Sequence, residues 1–222
     1  MTVLAVFDMD ETLISCDSST LWLAYLVEKG LAPAAMLETE KAMMQAYHRG
    51  ELSMQIYMDY TLAPLAGTSV AEIDDLANDY VSRIVPHMVF PQALAQLQWH
   101  REQQHTVLII SATADFIVRK VAALLGVVDV IAIELEQCQG LYTGSTQGVL
   151  SFREGKVQRL SAWLEAHNQA LSGSYGYSDS VNDLPLLEAV DKPHVVNPSL
   201  RFEECIQTRP WPRLSWQLHA PH

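Results

Sequence analysis

The chain has 222 residues, of which 49% are hydrophobic and 18% are charged, a balance typical of a packed globular protein. Its net charge of −12, from 14 basic and 26 acidic residues, argues against nucleic acid or an anionic membrane surface as a partner. A small phosphorylated ligand is still allowed, because a single bound cation can reverse the local field.

The first predicted element is a short buried strand that leads into two carboxylates. Residues 3–7 form a continuous apolar run, which is typical of a strand buried on both faces of a parallel sheet. Asp8 and Asp10 follow this run, and ligands of such sheets bind beyond the carboxyl ends of the strands. The stretch therefore predicts two acids in a site, with an acidic surface turn as the alternative.

The next segment, residues 16–86, shows helical patterns only. The predicted helices cover residues 18–30, 33–48, 52–62 and 69–84. Ser69 and Glu72 have the spacing of a capping box at the start of the last one. We expect Ile56, Tyr57 and Tyr60 on one helical face. The many methionines here indicate ordinary helical core, or alternatively an adaptable apolar lid over a ligand.

From residue 87 onward, strand and helix patterns alternate. The predicted strands are 106–111, 127–135, 174–177 and 194–196, with a hairpin near 141–144, and helices begin near 91, 114, 157 and 184. This alternation predicts an α/β fold with a Rossmann-like, three-layer parallel sheet. We predict that residues 1–15 and 87–222 form this core and that residues 16–86 form an inserted helical cap domain. The aromatic tail, residues 211–216, is expected to dock on the core.

Chemically useful side chains follow three of the predicted strands and precede one helix. They are Asp8, Asp10, Ser111, Lys156, Asp179 and Asp183. In a parallel sheet these places converge on one edge. A carboxylate can attack phosphorus, a second acid can transfer protons, and a hydroxyl and a lysine can hold the transferring group. Further carboxylates can hold Mg²⁺, which prefers oxygen ligands.

These residues resemble the four motifs of the haloacid dehalogenase superfamily of phosphohydrolases. The motifs are Asp-Met-Asp-Glu-Thr at 8–12, Ser-Ala-Thr at 111–113, Lys156, and Asp-Ser-Val-Asn-Asp at 179–183. The helical insertion after the first motif and the Leu-Pro-Leu-Leu run after the last are similar to the phosphoserine-phosphatase-like branch. Members that act on carbon–halogen bonds lack the second acid, so the presence of Asp10 favours phosphate esters.

The resemblance implies a role for each residue, with Mg²⁺ as the cofactor. Asp8 is implied as the nucleophile and a metal ligand, and Asp10 as the general acid and base that also binds Mg²⁺ through its backbone carbonyl. The phosphate-binding hydroxyl and cation are implied to be Ser111 and Lys156. Asp179 is implied as a direct metal ligand. Asp183 is implied as a supporting acid.

Several residues also have a simpler interpretation. Lys156 could be a solvated lysine in the first turn of a helix. Ser111 could cap the following helix and leave Thr113 as the phosphate contact. Asp183 could cap the helix that begins at Leu184. The histidines at 87, 100, 105 and 194 have no spacing that suggests metal or general-base work, and we interpret them as surface or structural residues.

The inserted helices bear on the substrate. In phosphoserine phosphatases an acid shortly after the nucleophile binds the substrate amine, and Asp17 occupies that place here, although it could equally be a helix N-terminal acid. Those enzymes hold the substrate carboxylate with an arginine, where this chain has Thr61; the nearest arginine is Arg49 in a different context. An amine-bearing phosphomonoester without a carboxylate, such as histidinol phosphate or a phosphorylated amino alcohol, therefore fits better than phosphoserine.

We predict a Mg²⁺-dependent phosphomonoester hydrolase that acts on a small metabolite through an aspartyl-phosphate. The alternatives are a phosphotransferase or phosphomutase on the same fold, and a non-catalytic protein that binds a phosphorylated metabolite. Three scattered cysteines indicate neither a disulfide framework nor a zinc site, and no apolar run reaches the roughly 20 residues that span a bilayer. We expect a cytoplasmic protein. Its oligomeric state is left open.

Overall fold

The protein is built on one seven-stranded sheet, as seen in a computed structural model that describes residues 2–49, 51 and 53–218. The strands are β1 Leu4–Phe7, β2 Thr106–Ala114, β3 Asp129–Cys138, β4 Leu141–Gln147, β5 Tyr175–Ser178, β6 Lys192–Val196 and β7 Arg213–Leu214. Their order is β4-β3-β2-β1-β5-β6-β7, and all pairs are parallel except β3 and β4. The predicted parallel core and the hairpin are thus confirmed.

Helices connect these strands and also fill the long segment after β1. They are α1 Ser18–Glu28, α2 Ala35–His48, α3 Met54–Leu62, α4 Val70–Ile84, α5 Pro91–Glu102, α6 Asp115–Leu124, α7 Glu154–His167, α8 Leu184–Ala189 and α9 Leu200–Ile206. The predicted capping box at Ser69 and Glu72 is present. The predicted start of the third helix at Leu52 lies outside the described residues. No helix in the described part of the chain is long and apolar enough to cross a membrane.

Alternate residues of β1 point to opposite faces of the sheet, and both faces are covered. Ala5 and Phe7 belong to a large apolar cluster that includes residues of α5 and α6. Val6 belongs to a second cluster with Leu160 of α7 and Leu186 of α8. The predicted three-layer arrangement is therefore confirmed.

Helices α1 to α4 share the large cluster with the core. Trp22 of α1 packs edge-to-face against Phe116 of α6, with ring centroids 5.2 Å apart. The division into a core of residues 1–15 and 87–222 and a cap of residues 16–86 stays a prediction. The expectation for Ile56 is wrong, because its side chain is 60% exposed. The buried stripe of α3 runs through Met54, Tyr57, Met58 and Leu62, which leaves Ile56 on the solvent side.

The buried histidine and the tail both have structural contacts. His100 is fully buried, and its ring nitrogens are 2.9 Å from the Tyr177 hydroxyl and 2.8 Å from Nδ1 of His105. These contacts confirm a structural interpretation for His100. The tail docks as expected, because Trp216 is buried and its backbone N–H donates to Oδ1 of Asn197 at 2.8 Å.

Candidate active site

The carboxyl ends of β1, β2 and β5 bring the predicted site residues together at one edge of the sheet. Asp8 directly follows β1, and Asp179 directly follows β5. Ser111 lies inside β2, which extends beyond its predicted end, and the register between β2 and β3 shifts between Ile110 and Ala114. Such an irregularity changes where side chains point near the end of a strand.

Lys156 of α7 connects two carboxylates in the buried floor of the site. Its ammonium donates to Oδ1 of Asp8 at 2.7 Å and to Oδ2 of Asp183 at 2.7 Å, and its side chain is only 3% exposed. Burial by itself lowers the pKa of Lys156, but the two carboxylates outweigh burial and hold this pKa above its usual value. Lys156 is therefore a charged, buried residue, which excludes the solvated alternative.

A close backbone approach places Lys156. A Cβ atom on Gly155 would lie 2.0 Å from the carbonyl oxygen of Leu150, so only glycine fits at the start of α7. In the same loop, the hydroxyl of Ser151 donates to the backbone carbonyl oxygen of Ser111. The loop before α7 is thereby joined to β2, and the lysine and serine motifs are held in one unit.

Asp10 lies in a different environment from Asp8. Its carboxylate accepts hydrogen bonds from neutral donors, the Ser18 backbone N–H at 2.8 Å and the Thr113 hydroxyl at 2.7 Å. Burial, followed by the nearby Asp17 carboxylate, raises the pKa of Asp10 to about 8. Burial also raises the pKa of Asp8, but Lys156 opposes it and the result is about 6. Near neutral pH, Asp10 is largely protonated while Asp8 is largely ionised.

Thr12 positions Asp179 beside Asp8. The Thr12 hydroxyl donates to Oδ1 of Asp179 at 2.9 Å and accepts from the backbone N–H of Asp179 at 3.0 Å. Burial raises the pKa of Asp179 well above its usual range, and the charges of Asp8 and Glu11 add to this effect. The site thus concentrates buried negative charge on oxygen atoms.

This donor set fits a hard divalent cation such as Mg²⁺. Within the described ranges, no three His, Cys, Asp or Glu side chains are already grouped as a metal site. Mg²⁺ does not require such a group, because it keeps several waters and binds through one or two carboxylates. Asp8 and Asp179 can supply those two carboxylates.

The capping alternatives for Ser111 and Asp183 are not supported. Helix α6 has Ala114 at its N-cap with no side-chain hydrogen bond, and Oγ of Ser111 instead accepts from the Thr113 backbone N–H at 3.1 Å. Helix α8 likewise has no side-chain cap bond from Asp183. Oδ2 of Asp183 accepts from the Ser178 hydroxyl at 2.7 Å, in addition to Lys156. Ser111 therefore caps no helix, and Asp183 occupies the N-cap position of α8 while its side chain bonds to Lys156 and Ser178 instead.

A cavity of about 420 Å³ opens onto these residues, a volume suited to a small metabolite. Its floor is the strand edge, and helices α1 to α3 supply the roof. Met44 and Met54 line the roof, as the lid interpretation expected. Sequence reasoning missed Glu40, Tyr47 and Tyr57, which also line it. A signal for Glu40 was available, since it continues an apolar helical face at i, i+4 spacing before Met44.

The residues considered for substrate binding occupy contrasting places. Asp17 caps α1, accepting from the Thr20 backbone N–H at 2.8 Å, and it also lines the cavity. Thr61 donates to the Tyr57 carbonyl oxygen of its own helix at 2.9 Å. Arg49 pairs with Glu51 at 2.8 Å on the exposed surface. Among the described residues, no arginine lines the cavity.

The strand ends of this parallel sheet present paired acids and a hydroxyl beside a buried lysine. This arrangement defines a class of enzyme suited to phosphoryl transfer. A family model described as haloacid dehalogenase-like hydrolase matches residues 5–188. Histidinol-phosphatase from Neisseria meningitidis serogroup C (strain 8013) is 37% identical, over 98% of this chain and 100% of that protein. The chain belongs to the haloacid dehalogenase-like hydrolase family, and its predicted class, a phosphatase of this family, is confirmed.

Solved structures share the fold of this chain. A protein of unknown function from Bordetella pertussis Tohama I has a TM-score of 0.88 and 35% identity, covering 96% of this chain and 99% of that chain. A substrate-bound phosphoserine phosphatase has a TM-score of 0.70 and 16% identity, covering 92% of this chain and 90% of that one. The latter likeness concerns the fold alone.

Proposed function

We propose that the protein is a Mg²⁺-dependent hydrolase of small phosphomonoesters that works through an aspartyl-phosphate intermediate. The observation that carries this proposal is the contrast between Asp8 and Asp10. Lys156 favours the ionised form of Asp8, whereas Asp10 has neutral donors and a pKa of about 8. Two neighbouring acids with separated pKa values are suited to distinct roles, one as nucleophile and one as proton donor.

In the first step, a carboxylate oxygen of Asp8 attacks phosphorus, and the bond between phosphorus and the ester oxygen breaks. Lys156 orients Asp8, and the Ser111 hydroxyl binds a phosphoryl oxygen. Asp10, protonated near neutral pH, gives its proton to the departing oxygen, so that the product leaves as a neutral alcohol.

In the second step, the ionised Asp10 takes a proton from water, and the water oxygen attacks the phosphorus of the aspartyl-phosphate. The bond between phosphorus and Asp8 breaks, which releases inorganic phosphate and restores the carboxylate. Thr113 and the Ser18 backbone hold Asp10 in place for both transfers. The same residue can serve as acid and then as base because the two steps alternate its protonation state.

The carboxylates of Asp8 and Asp179, with the backbone carbonyl of Asp10, would hold Mg²⁺. When bound, the ion offsets negative charge on the transferring group. Thr12 orients Asp179 for this purpose, and Asp183 orients Lys156. Supporting contacts of this kind typically tune metal affinity.

For the substrate, we propose an amine-bearing phosphomonoester without a carboxylate. Asp17 lines the cavity and supplies negative charge, while no arginine from the described residues lines it to bind a carboxylate. The relative from Neisseria meningitidis carries the name histidinol-phosphatase, which agrees with this chemistry. L-Histidinol phosphate is therefore the first compound to test.

A phosphomonoester panel tests the proposal. Phosphate release is measured with Mg²⁺ and with EDTA for L-histidinol phosphate, phosphoethanolamine, phosphoserine and p-nitrophenyl phosphate. We expect turnover that requires Mg²⁺ and a preference for the amines that lack a carboxylate. A strong preference for phosphoserine would contradict the substrate assignment, and no turnover of any ester would contradict the hydrolase. Transfer of phosphate to added alcohols would instead favour a phosphotransferase.

A further inference from the structure

The roof of the cavity contains a buried acid that the proposed chemistry does not use. Glu40 of α2 is only 2% exposed, and it lines the same cavity as Asp8 and Asp10. Its carboxylate accepts a hydrogen bond from the Thr20 hydroxyl at 2.5 Å. Within the part of the chain that the structure describes, no salt bridge reaches Glu40. A buried carboxylate is costly unless a cation or several donors compensate it.

A second buried group beside Glu40 points independently to a ligand. The hydroxyl of Tyr57 in α3 is buried close to the side chains of Glu40 and Ser19, but among the described residues it makes no hydrogen bond of standard geometry. Tyr57 is 4% exposed and lines the cavity, with Glu40 and Asp17 near enough to affect its pKa, which burial raises well above the usual value. Buried hydroxyls are nearly always hydrogen-bonded. A ligand N–H donor would satisfy this hydroxyl.

The charges that line the cavity favour a cation over an anion at the roof. Eight acids and two lysines line it: Asp8, Asp10, Glu11, Asp17, Glu38, Glu40, Asp179 and Asp183, with Lys41 and Lys156. Lys156 is already bound by Asp8 and Asp183 in the floor. The phosphate and Mg²⁺ would belong to that floor, so the roof acids face the rest of the substrate.

We propose that Glu40 and Tyr57 bind a cationic nitrogen group of the substrate and that Glu40 determines the preference for it. This inference rests on the proposed function of the same cavity and adds residues from α2 and α3 to it. The substrate class is a phosphomonoester whose alcohol portion carries an ammonium group. An N–H of that group donates to the Glu40 carboxylate, and another donates to the Tyr57 hydroxyl.

Glu40 also joins α2 to α1 through Thr20, so the test must separate recognition from structure. The substitution Glu40→Gln keeps the shape of the side chain and an acceptor for the Thr20 hydroxyl, and it removes the charge. The matched control is Glu28→Gln, which removes an exposed acid at the end of α1 that does not line the cavity. Thermal unfolding checks that both variants are folded.

The probes are 3-aminopropyl phosphate and butyl phosphate, which differ by an ammonium in place of a methyl group. For the wild type and each variant, kcat and KM are measured with both esters. The value of kcat/KM for 3-aminopropyl phosphate is then divided by the value for butyl phosphate. We expect this ratio to fall by about 10- to 100-fold in Glu40→Gln, the range for a hydrogen bond to a charged group, and to keep its wild-type value in Glu28→Gln. The change should appear mainly in KM, because the ammonium lies away from phosphorus.

A second measurement needs no variant. In wild-type protein, 3-aminopropylphosphonate should inhibit at least about tenfold more strongly than butylphosphonate, because only the former has an ammonium group that can bond to the Glu40 carboxylate. Equal inhibition, or an equal loss of kcat/KM for both esters in Glu40→Gln, would overturn the inference. If p-nitrophenyl phosphate is hydrolysed but the ammonium ester is not preferred, the inference and the amine-bearing substrate assignment fail, while the proposed hydrolase stands. If no ester is hydrolysed, the proposed function fails with it.

Discussion

Replacing Lys156 by Met should destabilise the protein strongly in the absence of metal. The ammonium of Lys156 lies 2.7 Å from Asp8 and 2.7 Å from Asp183, and these side chains are almost fully buried. Met has a similar length but leaves two carboxylates without their shared cation. Removing one partner of a buried ion pair typically costs about 3–5 kcal/mol, and we expect a loss of that size in the free energy of unfolding.

The loss should depend on pH in a defined direction. Without the lysine, the pKa of Asp8, which burial already raises to about 6, rises further. A raised carboxyl pKa costs progressively more stability as the pH increases above the pKa of the unfolded state. The difference between Lys156→Met and wild type should therefore be larger at pH 7.5 than at pH 5. Urea unfolding with EDTA at both pH values measures it.

The matched control is Lys120→Met. Lys120 pairs with Asp74 at 2.6 Å, but the Asp74 side chain is half exposed, and such surface pairs contribute about 0–1 kcal/mol. If Lys156→Met is no less stable than Lys120→Met, or if its loss is the same at both pH values, the account of the buried charge triad is wrong.

Three further predictions concern the acids and the metal. Asp10→Asn should lose turnover of alkyl esters yet give a burst of p-nitrophenol from p-nitrophenyl phosphate, whose leaving group needs little protonation; near-normal alkyl turnover would contradict proton transfer by Asp10. Thr12→Val removes the hydroxyl that bonds to Asp179, and it should raise the Mg²⁺ concentration for half-maximal activity by about 10- to 100-fold. Thr143→Val removes a hydroxyl that bonds to Glu136 instead, and it should leave this concentration unchanged. The pKa values of Asp8 and Asp10 in the folded protein are raised to about 6 and 8. The free energy of unfolding of the metal-free protein, measured with urea, should therefore fall as the pH is raised from 5 to 8, and an increase would refute this.

The arrangement of the sheet and the floor of the site could be predicted from sequence because each depends on short local patterns. An apolar run that ends at Asp8 predicts a buried strand, and the parallel arrangement then brings distant strand ends together. The capping box at Ser69 follows from the hydrogen-bonding groups of two side chains. The structure was required to show that Lys156 is buried, because a lysine in the first turn of a helix is usually exposed.

The roof was less predictable because burial there depends on how helices pack against each other. Glu40 lies in a segment rich in helix formers, and composition alone does not show which of its acids is buried. Ile56 was expected on the same helical face as Tyr57, yet α3 buries Tyr57 and leaves Ile56 exposed to solvent. Asp17 both caps α1 and lines the cavity, so the two interpretations offered for it do not exclude each other.

Chemical identification of the phosphorylated residue tests the central claim most directly. The Asp10→Asn variant is mixed with p-nitrophenyl phosphate and Mg²⁺, quenched in acid and reduced with borohydride, which converts an aspartyl-phosphate to homoserine. Mass spectrometry of the N-terminal peptide then locates the change. We predict homoserine at position 8. Release of p-nitrophenol without modification of Asp8, or phosphate on another residue such as Ser111, would contradict the account.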